Sequence, residues 1–261
     1  MTQLDSAVTA GTIQEQRTVA PVRRHRLRPK YVELLVLVVL AVAYNWVRGL
    51  DGDDRSEALR HAHDIASLEG PLFRHLELPL NHWLLTVVPL AVAACYYYAV
   101  LHYAMTPTVL LVSRARGGWR YVRGYVALVV ASAIGLVCYA LYPAAPPRLV
   151  PGLGMVDILQ QFSAYGWWGA AASAPRGIGD ATNQFAAMPS LHFGWSLWCG
   201  IQMWGFGGKW KVAAVAYPAI QVAVVIATAN HFLFDVVAGG ACVLVGYAAA
   251  WAAGALWRSR G

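Results

Sequence analysis

The chain has 261 residues, 58% of them hydrophobic and only 13% charged. Soluble domains carry about 25% charged residues, so the composition excludes an ordinary soluble enzyme and points to an all-α, polytopic membrane helix bundle. The formal net charge of +7 then reports membrane topology before any nucleic-acid partner, and no nucleic acid is expected.

Residues 1–30 read as a disordered, basic cytoplasmic tail. Its last stretch, Arg23-Arg-His-Arg-Leu-Arg-Pro-Lys30, anchors the first span under the positive-inside rule. Residues 31–257 read as one membrane-embedded domain. The first apolar run starts only near Tyr31 and has no small-residue cleavage site after it, so it is a span and not a secretion signal. Spans are expected over 31–47, within 80–112, and over 125–141, 190–204, 212–227 and 232–253, about six in all. The 80–112 run exceeds one span; either Pro89 kinks it or its first turns lie outside the bilayer. Residues 56–68 place apolar side chains at helical spacing, which predicts an amphipathic helix on the membrane surface, ended by Glu69-Gly-Pro71. His61, His63 and His75 fall in this polar region and read as surface histidines. Cys95, Cys138, Cys199 and Cys242 lie in apolar runs without metal-ligand spacing and read as small buried hydrophobes.

With both termini cytoplasmic, fourteen of the twenty Lys and Arg residues fall inside and six outside, the asymmetry expected of six spans in this orientation. The unusual polar residues then gather on the extracytoplasmic side. Arg148 follows the third span, His192 opens the fourth, and His231 with Asp235 opens the sixth. On a helix, His231 and Asp235 share a face. A carboxylate there fixes the imidazole tautomer and leaves the other ring nitrogen free to attack; a self-satisfied pair at a helix end is the simpler alternative. Ser190 is expected to cap the fourth span and Asn230 the sixth. Two helix N-termini, two histidines and an arginine suit a phosphate. Earlier in the chain, Tyr98 and His102 share a face. They either line a substrate cavity or belong to an aromatic interface belt.

Met188-Pro-Ser-Leu-His192, His231-x-x-x-Asp235 and the Pro-Pro-Arg148 stretch resemble the three motifs of the type-2 phosphatidic acid phosphatase and vanadium haloperoxidase superfamily. More closely, Leu191 in place of Gly, together with Thr228 and Asn230, resembles its inositol phosphorylceramide synthase branch. Many actinobacterial membrane proteins share this layout. The resemblance covers about 80–253. It implies that His231 is a nucleophile forming a phosphohistidine, that Asp235 orients it, that His192 is the general acid and later the base, and that Arg148 holds phosphate oxygens. It implies a lipid phosphate or phospholipid substrate in a bilayer, with no metal and no cofactor. The chain departs from the phosphatase pattern at Leu141, where that pattern has Lys, at Leu149 for Pro, and at Val224 and Val225 for Ser-Arg. Either the site is a variant like that of the inositol phosphorylceramide synthase branch, or other groups replace the missing phosphate ligands, with Arg176 and the Asn230 amide as candidates. Two other readings use the same residues: a haem held by His102, His192 or His231, and a transporter or scaffold without chemistry.

Overall fold

The structure, a computed structural model, describes residues 55–168 and 184–259 and scattered positions between 33 and 43. The expected tail, most of the first span and Arg176 lie outside the described residues. Helix α1 (Arg55–Glu69) is followed by α2, which opens with a wide π turn at Phe73–Glu77 and continues over Leu78–Thr86. Next come α3 (Val88–Arg116), α4 (Gly118–Leu141) and the short α5 (Ile158–Gln161). The chain ends with α6 (Leu191–Trp204), α7 (Trp210–Ala227) and α8 (Leu233–Ser259). Among the described residues there is no β-strand, only an isolated bridge between Ala144 and Ala186.

Among the described residues four helices are long and apolar enough to cross a membrane: α3, α4, α7 and Leu233–Leu256 of α8. Helix α6, expected as the fourth span, begins where its Ser190 cap predicts but has only 14 residues, short of the roughly 20 that a bilayer requires. The long second run divides. Val87 leaves helical geometry at φ −111° and ψ 76°, and Pro89 then sits at the second position of α3, where no backbone N–H is needed. The stretch before it is thus a separate helix and not part of the span. The basic stretch 113–123 between α3 and α4 breaks only at Gly117. Its arginines ride on the helix ends: Arg120 donates to the Ile201 carbonyl at 2.6 Å, and Arg123 lies 3.6 Å from the Trp251 ring centre.

Helix α1 does not merely lie on a surface. Ala58, Ala62, Ile65 and Ala66 are buried against Ala144, Ala145, Val150 and Phe232, and the Ala58 carbonyl accepts from the Ala145 backbone N–H at 3.0 Å. His61 stacks on Tyr142 at 3.8 Å and bonds to the Pro143 carbonyl at 2.7 Å, so it fastens α1 to the loop; His63 and His75 are exposed as expected.

The bundle is held by close backbone approaches. Helix α8 packs along α4 and against α6. At Gly239 a side chain would collide with the Ser190 carbonyl oxygen, a backbone atom that cannot step aside. This contact brings the start of α6 against α8, and the Ser190 N–H also donates to the Asp235 carbonyl at 2.9 Å. We therefore expect Gly239→Ala to cost about 1–3 kcal/mol of stability by overpacking. Activity should fall more than stability, because the contact sets the distance between His192 and His231. Thermal unfolding in detergent, run beside a turnover assay, checks this; an unchanged unfolding temperature refutes it.

Candidate active site

His231 is placed by a turn, not by a helix. After Ala227 the chain reverses through Thr228, Ala229 and Asn230, with Ala229 in the left-handed region at φ 57°, a conformation that L side chains adopt at a cost of about 1–2 kcal/mol. The turn is pinned by its own hydrogen bonds. The backbone N–H groups of Asn230 and His231 both donate to the Val225 carbonyl, at 3.0 and 3.2 Å. The Asn230 side-chain amide donates to Thr228 Oγ1 at 2.8 Å, and that hydroxyl donates to the Val224 carbonyl at 2.7 Å. Two expectations are corrected here. Asn230 caps no helix, because its Oδ1, the atom a cap needs, accepts no hydrogen bond while its NH2 donates to Thr228, and His231 precedes α8 instead of lying in its first turn. The same bond withholds the Asn230 amide from a phosphate.

The ring is nevertheless oriented from both sides. Its Nδ1 lies 2.9 Å from the Ala187 carbonyl oxygen and 3.5 Å from Asp235 Oδ2. A carbonyl only accepts, so Nδ1 carries the proton and Nε2 keeps its lone pair. The nearer of the two acceptors is thus Ala187, a backbone oxygen that no side-chain motif reveals. It is held in place by the Ala144 bridge, where the Ala187 N–H donates to the Ala144 carbonyl at 3.2 Å.

The start of α8 is closed to anions. The Phe232 N–H donates to Asp235 Oδ2 at 2.9 Å, the Leu233 N–H to Glu77 Oε1 at 3.0 Å, and the Phe234 N–H to Glu69 Oε1. Three carboxylates take the donors that the sequence reading offers to a phosphate. At α6, Ser190 behaves as predicted: its hydroxyl accepts from the Phe193 N–H at 3.3 Å. That bond and full burial make Ser190 a cap first.

Around His192 the aromatic residues converge. Its ring lies 5.6 Å from that of His231, stacks on Tyr98 at 4.4 Å, and meets His102 edge-on at 4.2 Å. Tyr98 lies in the wide π turn Tyr97–Leu101 of α3 and His102 directly follows it, a distortion common at functional sites, and His102 Nδ1 donates to the Tyr98 carbonyl at 3.1 Å. Both residues thus pack directly against His192. Nε2 of His192 is buried without a hydrogen-bond partner.

Arg148 joins them from the loop after α4. Its backbone N–H donates to the Ala229 carbonyl at 3.0 Å, tying it to the turn that carries His231. Its side chain is 4% exposed, and Nε lies 3.3 Å from Asp157 Oδ2. Burial pulls the guanidinium below its usual range, and the Asp157 charge pushes back. Neither Nε nor Nη1 makes a hydrogen bond, so a charged fork sits in the interior with donors to spare. Asp157, which the sequence reading did not pick out, also caps α5 by accepting from the Gln160 N–H at 2.9 Å. Among the described residues no group of three or more His, Cys, Asp or Glu is placed to hold a metal ion.

The profile of the PAP2 superfamily matches residues 63–249. The chain belongs to the PAP2 superfamily. No curated protein and no solved structure matches it. Membership of the PAP2 superfamily supports a membrane phosphatase or phosphotransferase at a coarse level. The matched region takes in every residue of the site just described, from Glu69 to Asp235.

Proposed function

We propose that the chain is an integral membrane lipid-phosphate phosphatase or phosphotransferase of the inositol phosphorylceramide synthase-like kind. It works through a phosphohistidine on His231 at the extracytoplasmic face of the plasma membrane. The observation that carries this reading is the meeting of His231, His192 and Arg148, which are far apart in sequence. Each brings an unspent polar group: the Nε2 lone pair of His231, Nε2 of His192, and the Arg148 fork.

The chemistry follows from those atoms. His231 Nε2 attacks phosphorus; the P–N bond forms and the bond to the leaving oxygen breaks. His192, protonated on Nε2, gives its proton to that oxygen. Water or a lipid alcohol then attacks the phosphohistidine, passing its proton back to His192, and the P–N electron pair returns to His231. Arg148 holds the non-reacting phosphate oxygens, and Asp235 together with the Ala187 carbonyl supports the positive imidazole. The excess of Lys and Arg on the side assigned to the cytoplasm, with six spans expected from the sequence, supports an outer position for this site. The rings of Tyr98 and His102 lie directly against His192, which leaves no room there for a porphyrin plane and disfavours haem.

The test is a turnover assay on purified protein in detergent. It offers lipid phosphates in one arm and phosphatidylinositol with a lipid alcohol in the other. Release of inorganic phosphate identifies a phosphatase, and a new phospholipid without free phosphate a transferase. No turnover in either arm, with no phosphohistidine trapped on incubation with lipid phosphates, phosphatidylinositol or an aryl phosphate, defeats the proposal.

A further inference from the structure

Glu69 and Glu77 are unusual tenants of a protein interior. Glu77 is fully buried and Glu69 is 7% exposed. Charged residues in such places normally have a cation beside them, yet among the described residues neither has an ion-pair partner. Each instead points one oxygen at a backbone N–H of α8, at Leu233 and Phe234. Their second oxygens, Oε2 in both, are buried with no hydrogen-bond partner, and because Leu233 and Phe234 are adjacent in the chain the two carboxyl groups stand side by side at the start of α8, close enough to interact. Two carboxylates can only accept, so that contact needs a proton.

We propose that Glu69 and Glu77 form a one-proton acid pair that positions the nucleophile, clamping α1 and α2 onto the first turn of α8 directly behind His231 and Asp235. The inference rests on His231 being the reacting group. The pair acts through others: it fixes Leu233 and Phe234, which follow His231 in the chain, and leaves the Phe232 N–H to Asp235. With one shared proton the pair carries a single charge against the positive end of α8. Without the proton, three carboxylates crowd one helix end and the clamp opens.

The titratable groups facing Glu77 are Glu69 on α1 and Asp235 on α8, both acids. Burial first, then the Glu69 contact and charge, push the Glu77 carboxyl up to about 9 from an ordinary 4.5. Burial likewise raises Glu69, against its hydrogen bonds to Glu77 and Phe234. The sign follows from proton counting. Between pH 4.5 and about 9 the folded protein holds a proton on Glu77 that the unfolded chain has lost. Stability from this group is therefore full below pH 4.5 and declines as pH rises toward 9.

Glu77→Gln tests the pair because an amide keeps the shape, accepts from Leu233 and donates to Glu69 at every pH. Wild-type turnover should fall reversibly above about pH 9, the range of the Glu77 carboxyl, while Glu77→Gln continues past it. Near neutrality Glu77→Gln should stay within about threefold of wild type, whereas Glu77→Ala should lose on the order of 100-fold, the scale of a misplaced reacting group. Wild-type and Glu77→Gln profiles that fall together at alkaline pH overturn the proposal, as does a Glu77→Ala protein with wild-type turnover. Infrared spectroscopy gives a readout independent of activity: wild type should show a protonated carboxyl band at neutral pH that Glu77→Gln lacks. Absence of that band from wild type refutes the pair even if no substrate is ever turned over. Its presence in a protein without turnover leaves the pair standing and sinks the phosphohistidine reading instead.

Discussion

Replacing His231 with Ala lowers turnover by about 10⁴-fold or more, the scale seen when a covalent nucleophile is removed from a cooperating set. The size follows from geometry. His231 is held by the Ala187 carbonyl at one nitrogen, so no rearrangement of the pocket presents a second nucleophile at the same spot. His192, 5.6 Å away, stacks on Tyr98 and points from a different helix. The decisive form of the experiment is a single turnover with labelled substrate, stopped in alkali, where phosphohistidine survives. Wild type carries label on the protein, and His231→Ala carries none. His192→Ala adds a sharper contrast. With an aryl phosphate, whose leaving group needs no proton, it should still form the labelled intermediate and then stall, because the incoming water has no base. Label on the His231→Ala protein would remove His231 from the reaction altogether.

Arg148→Ala is the second large effect, a loss of about 10² to 10³ in kcat/KM, as for removal of one donor that stabilises transition-state charge. The fork is buried with Nε and Nη1 unbonded, and its held charge meets a phosphate in a dry setting where it counts for more than in water. Inhibition by inorganic phosphate and vanadate should weaken alongside, since both present the same oxygens. Arg148→Lys keeps the charge but not the planar fork, and should recover only part of the loss. Asp157 complicates the pair usefully. Standing 3.3 Å from Nε, it competes with the substrate for Arg148. Asp157→Asn should therefore tighten phosphate inhibition while lowering stability through the unpaired buried guanidinium. A change in kcat/KM below about threefold for Arg148→Ala contradicts a phosphate-holding role.

The apolar runs located α6 and α7 to within two residues, and α3, α4 and α8 with one end six to eight residues off, because a buried helix must be apolar along most of its length. The Ser190 cap, read from sequence, marks the start of α6. Errors came where a backbone group decided the outcome. Val87 breaks the second run ahead of Pro89, and no periodicity announces a single residue leaving helical φ and ψ. Asn230 has the composition of a cap, but the turn that carries it leaves its Oδ1 without a donor. His192, His231, Asp235 and Arg148 could be picked out because ionisable residues are rare in membrane sequence. Glu69, Glu77 and Asp157 are single acids outside the three motifs, and no local pattern marks them. Their partners are distant in sequence: Leu233 and Phe234 lie more than 150 residues beyond the two glutamates, and no spacing rule spans such a gap.

The Ala144–Ala186 bridge has a consequence for how this protein can be cut and rejoined. It threads the acceptor for His231 through a strand-like pairing of two loop segments, while the caps of α8 come from the beginning of the chain. No contiguous fragment shorter than Arg55 to Asp235 holds both supports. A half beginning at α3 keeps His192, His231 and Arg148 but leaves two N–H donors of α8 bare. Complementation by a separately expressed segment carrying α1 and α2 is the natural route to a split version whose activity depends on assembly.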